Sequence, residues 1–196
     1  FSQPSNGSVV YNGDGTFTDI SEAGRVNCKT NPGNMWSVFG DYNNDGLMDL
    51  LVSGSSENNA AHLFCNTNDE VFYKTIRTLS DSSRITNYST FFDYNNDGYL
   101  DIYSLSGLLY RNNDRDSFRE VFNIFNYDED LRFNNVSVGD IDNDGGVDLF
   151  KTRSDKTNVL LSSNWLNNWL IVNLQGVESN SFGIGAKIKI ETKNQA

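Results

Sequence analysis

One eleven-residue segment occurs three times in this chain, and it restricts the possible folds more than any other feature. Gly40-Asp41-Tyr42-Asn43-Asn44-Asp45-Gly46-Leu47-Met48-Asp49-Leu50, Phe92-Asp93-Tyr94-Asn95-Asn96-Asp97-Gly98-Tyr99-Leu100-Asp101-Ile102 and Gly139-Asp140-Ile141-Asp142-Asn143-Asp144-Gly145-Gly146-Val147-Asp148-Leu149 align without gaps. Their first aspartates lie 52 and 47 residues apart. A period near that length matches one four-stranded propeller blade and is far too long for a hexapeptide or nonapeptide β-helix. Short β-prone runs flank every copy, such as Trp36-Ser37-Val38-Phe39 before the first and Leu50-Leu51-Val52 within and after it. Hairpin-like pairs follow, as in His62-Leu63-Phe64-Cys65 with Val71-Phe72-Tyr73, and Leu108-Leu109-Tyr110 with Ser117-Phe118. No segment sustains a 3.6-residue apolar period. The expected fold is all-β. Each repeat is a four-stranded antiparallel β-propeller blade, with the aspartate segment as the loop of its first hairpin.

Counting the first aspartate of each segment as position 1, oxygen-bearing side chains fall at positions 1, 3 and 5: Asp41, Asn43 and Asp45; Asp93, Asn95 and Asp97; Asp140, Asp142 and Asp144. Glycine holds position 6, and position 9 is Asp49, Asp101 or Asp148. This spacing lets a loop curl around a hard cation, with position 7 (Leu47, Tyr99 or Gly146) offering its backbone carbonyl. The loop is not an EF-hand, because position 12 is Val52, Ser104 or Lys151 and the flanks are β-prone. Apolar residues at positions 8 and 10 alternate with the aspartate at 9, so that aspartate is expected to point away from the sheet packing and toward the ion. An all-oxygen donor set disfavours zinc and copper. A flexible cage of five or more protein oxygens favours calcium over magnesium. Three Ca2+ sites are therefore expected. Turn-forming Asp, Asn and Gly explain one such loop, but not three with carboxylates at positions 1, 5 and 9 each time.

Composition supports this reading by what it excludes. The net charge of −11 repels nucleic-acid phosphates. Ten carboxylates lie in the three loops, so most of the excess charge is ligand charge. With 37% hydrophobic and 13% aromatic residues the chain is too apolar for intrinsic disorder, and no apolar run is long enough to insert in a membrane. Cys28 and Cys65 are compatible with one disulfide in an exported protein or with two separate buried thiols. The lone histidine, His62, sits in a strand-like run and reads as structural. With no Cys–His pair and no Gly-x-Ser-x-Gly motif, nucleophilic catalysis lacks its parts. Gly183-Ile184-Gly185 lacks the third glycine of a dinucleotide fingerprint and reads as a turn. Trp165 and Trp169 read as packing at the junction to the last module, with sugar stacking as the alternative. Tyr42 and Tyr94 are expected either to line a ligand surface or to cover the ion. Asn6, Asn87 and Asn135 open glycosylation sequons.

These residues resemble the FG-GAP/VCBS repeat, the calcium-loop blade of integrin α-like β-propellers, and Phe39-Gly40 supplies the literal Phe-Gly once. Asn12-Gly13-Asp14-Gly15-Thr16-Phe17-Thr18-Asp19 looks like the closing hairpin of a preceding blade. Asn168 to Gly176, followed by Gly183 to Ile188, resembles the opening of an ASPIC/UnbV domain, which follows such propellers in cartilage acidic protein-like proteins. The organisation expected is the end of a preceding blade over 1–20, FG-GAP/VCBS blades over 34–80, 86–125 and 132–163, and a truncated ASPIC/UnbV-like module over 164–196. A closed propeller needs at least about four blades, so a part of a larger propeller is expected. The resemblance implies a secreted, non-enzymatic binding or cell-adhesion module for an extracellular protein or carbohydrate. Its expected location is extracellular, on the cell surface, or periplasmic and associated with the outer membrane. The alternative is the propeller portion of a secreted, lyase-like polysaccharide-active enzyme.

Overall fold

The structure is a computed structural model that describes residues 9–20, 22–23, 25–26, 36–53, 61–67, 71–75, 88–105, 107–113, 117–121, 133–154, 157–163, 169–177, 183, 186 and 188–190. Among these residues there is no helix; every regular element is a short strand paired antiparallel. A two-stranded hairpin, β1 (Val9–Tyr11) and β2 (Phe17–Asp19), comes first. Its turn contains Gly13 and Gly15 at positive φ, as the Asn-Gly and Asp-Gly pairs require.

Three meandering sheets follow. The first runs β3 (Trp36–Gly40), β4 (Asp49–Ser53), β5 (His62–Thr67) and β6 (Val71–Lys74). The second runs β7 (Ser89–Phe92), β8 (Asp101–Ser104), β9 (Leu109–Asn112) and β10 (Phe118–Val121). The third has three strands among the described residues, β11 (Phe133–Gly139), β12 (Asp148–Arg153) and β13 (Val159–Leu161). In each sheet the aspartate segment joins the first two strands. Gly40 pairs with Asp49, Phe92 with Asp101 and Gly139 with Asp148. These are the propeller blades expected from the repeat, and the sheets are not closed into a ring.

The cores lie between blades, and strand alternation explains why. In β4, Leu50 and Val52 share one face and pack with Val26, Phe64 and Phe72. Leu51 points the other way. With Tyr42, Ala61 and Leu63 it meets Phe91, Ile102, Leu108 and Tyr110 of the second blade. The second blade repeats the device: Phe92, Tyr94, Tyr103 and Leu109 on its far face meet Val136 and Leu149 of the third. Thus position 10 of each loop packs backward, and position 11 of the first two packs forward.

Gly40 shows how close the first junction is. A Cβ added there would lie 2.7 Å from the Phe91 ring and 2.9 Å from Leu100, whereas one added at Gly139 meets nothing within 4 Å. Gly40→Ala is expected to lower stability by about 1–3 kcal/mol through overpacking. Gly139→Ala is expected to be nearly neutral. Urea unfolding of the two variants checks the difference.

Candidate metal centre

Each loop is organised by its own side chains, through contacts that repeat in all three copies. The position 1 carboxylate accepts two backbone N–H groups, one on each oxygen. Asp41 takes those of Asp45 (3.1 Å) and Gly46 (2.9 Å), Asp93 those of Asp97 (3.1 Å) and Gly98 (2.8 Å), and Asp140 those of Asp144 (3.2 Å) and Gly145 (3.0 Å). Position 3 accepts from the same position 5 N–H through Asn43, Asn95 or Asp142. Position 5 accepts from position 7: Leu47 donates to Asp45, Tyr99 to Asp97 and Gly146 to Asp144. The glycines at position 6 all have φ of 86°, the left-handed region where a side chain is strained. A carboxylate has about four lone-pair sites, so these bonds shape the loop and leave oxygen donors for a cation.

Position 9 has a structural role that the repeat did not announce. Asp49, Asp101 and Asp148 are fully buried. One oxygen of each accepts the N–H of position 2, from Tyr42 (3.2 Å), Tyr94 (3.0 Å) or Ile141 (2.9 Å). The other accepts an N–H from further along the chain: Asn66 at 2.8 Å, Asn112 at 2.7 Å and Ser163 at 2.9 Å. Each of these aspartates is a clamp between the loop and a later part of its blade, whatever else its remaining lone pairs hold. Burial pushes the Asp49 carboxyl up to about 6 despite its backbone donors, with Asp45 and Asp41 adding to the rise. Burial likewise pushes Asp101 up to about 7, with Asp93 and Asp97 adding to it. In the third loop, oxygens of Asp140, Asp142 and Asp148 all lie within 4.8 Å of one another, and Asp144 accepts from Gly146 beside them.

Two features of the site escaped the sequence reading. The first is the asparagine at position 4. Asn44, Asn96 and Asn143 have φ of 57°, 53° and 59°, a conformation asparagine tolerates better than most residues. The Asn44 side-chain amide donates to the Gly98 carbonyl of the next loop (2.8 Å), and the Asn96 amide donates to the Gly145 carbonyl (2.6 Å). Asn112 reaches back from the second blade to the Tyr42 carbonyl (2.8 Å). An asparagine present in all three copies, at a position with no ligand role, was the available signal. The second feature is Arg111, whose guanidinium lies 3.1 Å from the Asp97 carboxylate and lowers the negative charge of the second loop. Nothing local in the sequence marks that pair.

The cross-blade bond can be isolated by using Asn143 as reference, because among the described residues it has no acceptor in another blade. Asn96→Gly keeps the left-handed backbone and loses the bond. In dilute solution it is expected to destabilise by about 1 kcal/mol more than Asn143→Gly, measured by thermal unfolding.

The aromatic expectations resolve differently. Tyr42 and Tyr94 are buried between blades and do not line a surface; Tyr42 packs against Phe118 with ring centroids 5.8 Å apart. Strand alternation past the loop turns position 2 inward. Met48 at position 8 is exposed instead of packed, whereas Leu100 and Val147 pack in the cores. His62 is buried on β5, edge-on to Phe64. Trp169 lies against Gly145, where an added Cβ would strike the indole, so it packs on the third loop. Asn135 is exposed on β11. Cys65 is a free thiol; Cys28, with Trp165, Asn6 and Asn87, lies outside the described residues.

The family model of the FG-GAP-like repeat matches residues 2–52 and 41–104, together just over half of the chain. Cartilage acidic protein 1 of Xenopus tropicalis is 28% identical over 201 residues, which cover 92% of this chain and 30% of that protein. The chain therefore spans less than a third of its relative's length. The matched residues hold the first two of the three aspartate loops, each seated between the first two strands of an antiparallel blade, and this chain belongs to the FG-GAP-like repeat family.

Proposed function

We propose that this chain is a calcium-stabilised β-propeller region that acts outside the cytoplasm as a non-catalytic binding or adhesion module. The observation that carries the proposal is the threefold recurrence of one loop architecture. In every copy backbone N–H groups fix carboxylates at positions 1, 5 and 9 around an all-oxygen donor set. Calcium would be held by Asp41, Asn43, Asp45, Asp49 and the Leu47 carbonyl; by Asp93, Asn95, Asp97, Asp101 and the Tyr99 carbonyl; and by Asp140, Asp142, Asp144, Asp148 and the Gly146 carbonyl. The bound ion supplies charge neutralisation and a rigid cross-link, and no chemical step is assigned to it.

Family membership and the similarity to cartilage acidic protein 1 support an extracellular setting. Among the described residues no helix is long and apolar enough to cross a membrane. The ligand is a protein or carbohydrate met by the loops that connect the strands, where such scaffolds carry recognition. Residues 164–196 would open an ASPIC/UnbV-like module.

The third loop is expected to bind most tightly. It carries four carboxylates where the others carry three, and ligand charge tunes affinity in such loops. Arg111 makes the second loop the weakest. Calorimetric titration with calcium tests both the proposal and the ranking. Three binding steps are expected, and Asp142→Asn weakens the tightest of them several-fold. Absence of any calcium uptake would refute the metal assignment.

A further inference from the structure

Two departures from the repeat meet in the third blade. At position 7 the first two loops carry Leu47 and Tyr99, whereas the third carries Gly146. The second departure lies further along the chain. The residue whose backbone N–H holds the position 9 carboxylate is Asn66 in the first blade and Asn112 in the second, but Ser163 in the third. The two asparagines turn their side-chain amides to the carbonyl at position 8, Asn66 to Met48 (3.0 Å) and Asn112 to Leu100 (3.2 Å). The shorter Ser163 side chain lies instead against the loop at Gly146. A Cβ added to that glycine would strike the Ser163 hydroxyl oxygen and lie 3.0 Å from an oxygen of Asp144. A side chain at position 7, as in the other two loops, would take the place of the hydroxyl. The serine and the glycine therefore fit together.

Ser163 thus meets the third loop at its donor positions. Its N–H donates to Asp148 at position 9 (2.9 Å), and its hydroxyl lies beside Gly146 at position 7, next to Asp144 at position 5. The hydroxyl oxygen is buried and has no hydrogen-bond partner. Buried polar groups are normally paired, and an unpaired one is costly. The surrounding side chains are carboxylates, with oxygens of Asp140, Asp142 and Asp148 converging within 4.8 Å of one another. A cation is the partner that such a neighbourhood lacks. A hydroxyl suits the place, because its lone pairs can face a cation while its proton faces a carboxylate. Calcium takes six to eight oxygens, and positions 1, 3, 5, 7 and 9 leave room for another.

We infer that the Ser163 hydroxyl is an added ligand of the cation in the third loop. The inference deepens the calcium assignment proposed above and rests on it. It gives the third ion a donor from beyond the loop. Ser163 follows β13, so the ion ties the loop between β11 and β12 to the end of the next strand as well.

Terbium, a luminescent substitute for calcium, tests this on the whole chain. Trp169 lies against Gly145, so terbium emission excited through the indole reports on the third loop. Emission lifetimes in H2O and D2O count the waters on the ion. Ser163→Ala is expected to add one water there and to weaken the site about three- to tenfold, with the same loss when calcium competes. In chelator its thermal midpoint is expected to equal or exceed that of wild type, because an unpaired buried hydroxyl is removed and the N–H on Asp148 is kept. Ser162→Ala, at the exposed neighbour, is expected to change none of these. An unchanged water count and affinity in Ser163→Ala, with calcium still taken up by wild type, overturns the inference and leaves the calcium assignment standing. A midpoint lowered equally in calcium and in chelator makes Ser163 a packing residue and also overturns it. Absence of any uptake by wild type overturns both.

Discussion

Chelating calcium is expected to lower the thermal midpoint of this chain by on the order of 15 °C or more. A site held at 100 times its dissociation constant stabilises the folded state by about 2.7 kcal/mol. For a chain of this size each kcal/mol moves the midpoint by about 2–4 °C, and three sites act together. The physical source lies in the loops. Carboxylates of one loop converge, and in the third loop oxygens of three of them lie within 4.8 Å of one another. Without a cation that repulsion opposes the folded arrangement; with one it becomes attraction. Differential scanning fluorimetry in calcium, magnesium and chelator measures the effect. Magnesium is expected to restore little of it, because it gives up its water reluctantly. Equal midpoints in calcium and chelator would overturn the assignment.

Asp101→Ala is expected to be the most damaging single carboxylate substitution, and to remain so after calcium is removed. Its two oxygens accept the N–H groups of Tyr94 and Asn112 in a fully buried setting. Alanine leaves both donors unsatisfied, and each costs about 1–3 kcal/mol. Removing a carboxylate that burial already disfavours offsets part of this, so a net loss of about 2–5 kcal/mol is expected. Asp97→Ala provides the contrast. Its bonds to Tyr99, Asn95 and Arg111 are near solvent, where water replaces them. Its effect is therefore expected to be large in calcium and under about 1 kcal/mol in chelator. Chemical denaturation of both variants under both conditions separates the clamp from the ligand.

That contrast marks where sequence reading succeeded and where it stopped. The shape of the loop was legible because it is local: positions 1, 3, 5, 6 and 9 converge within a few residues of backbone. Blade size and strand pairing were legible for a related reason, since the repeat and the alternation around Leu50, Ile102 and Leu149 are periodic in the chain. The clamp formed by Asp49, Asp101 and Asp148 was not legible. Its donors, Asn66, Asn112 and Ser163, lie 11 to 17 residues away and contribute backbone groups that carry no residue signature. The inward turn of Tyr42 and Tyr94 depended on the neighbouring blade, which periodicity within one blade does not describe. The Asn44 and Asn96 bonds span 54 and 49 residues, and only an assembled stack reveals them.

The sharing of cores between blades makes the stack a one-dimensional cooperative system, in which each unit is stabilised chiefly by its nearest neighbours. The middle blade contributes to both junctions, through Phe91, Ile102 and Tyr110 on one face and Phe92, Tyr103 and Leu109 on the other. For this chain by itself, opening is therefore expected to start at the first and third blades. Loss of either outer blade strips one face of the middle one and weakens what remains. The element expected to open last is then β7 to β9, and the loop within it, the second, is bonded to the loop on each side. If the loops hold calcium as proposed, loss of the ion from that loop is expected to be felt most strongly by the other two.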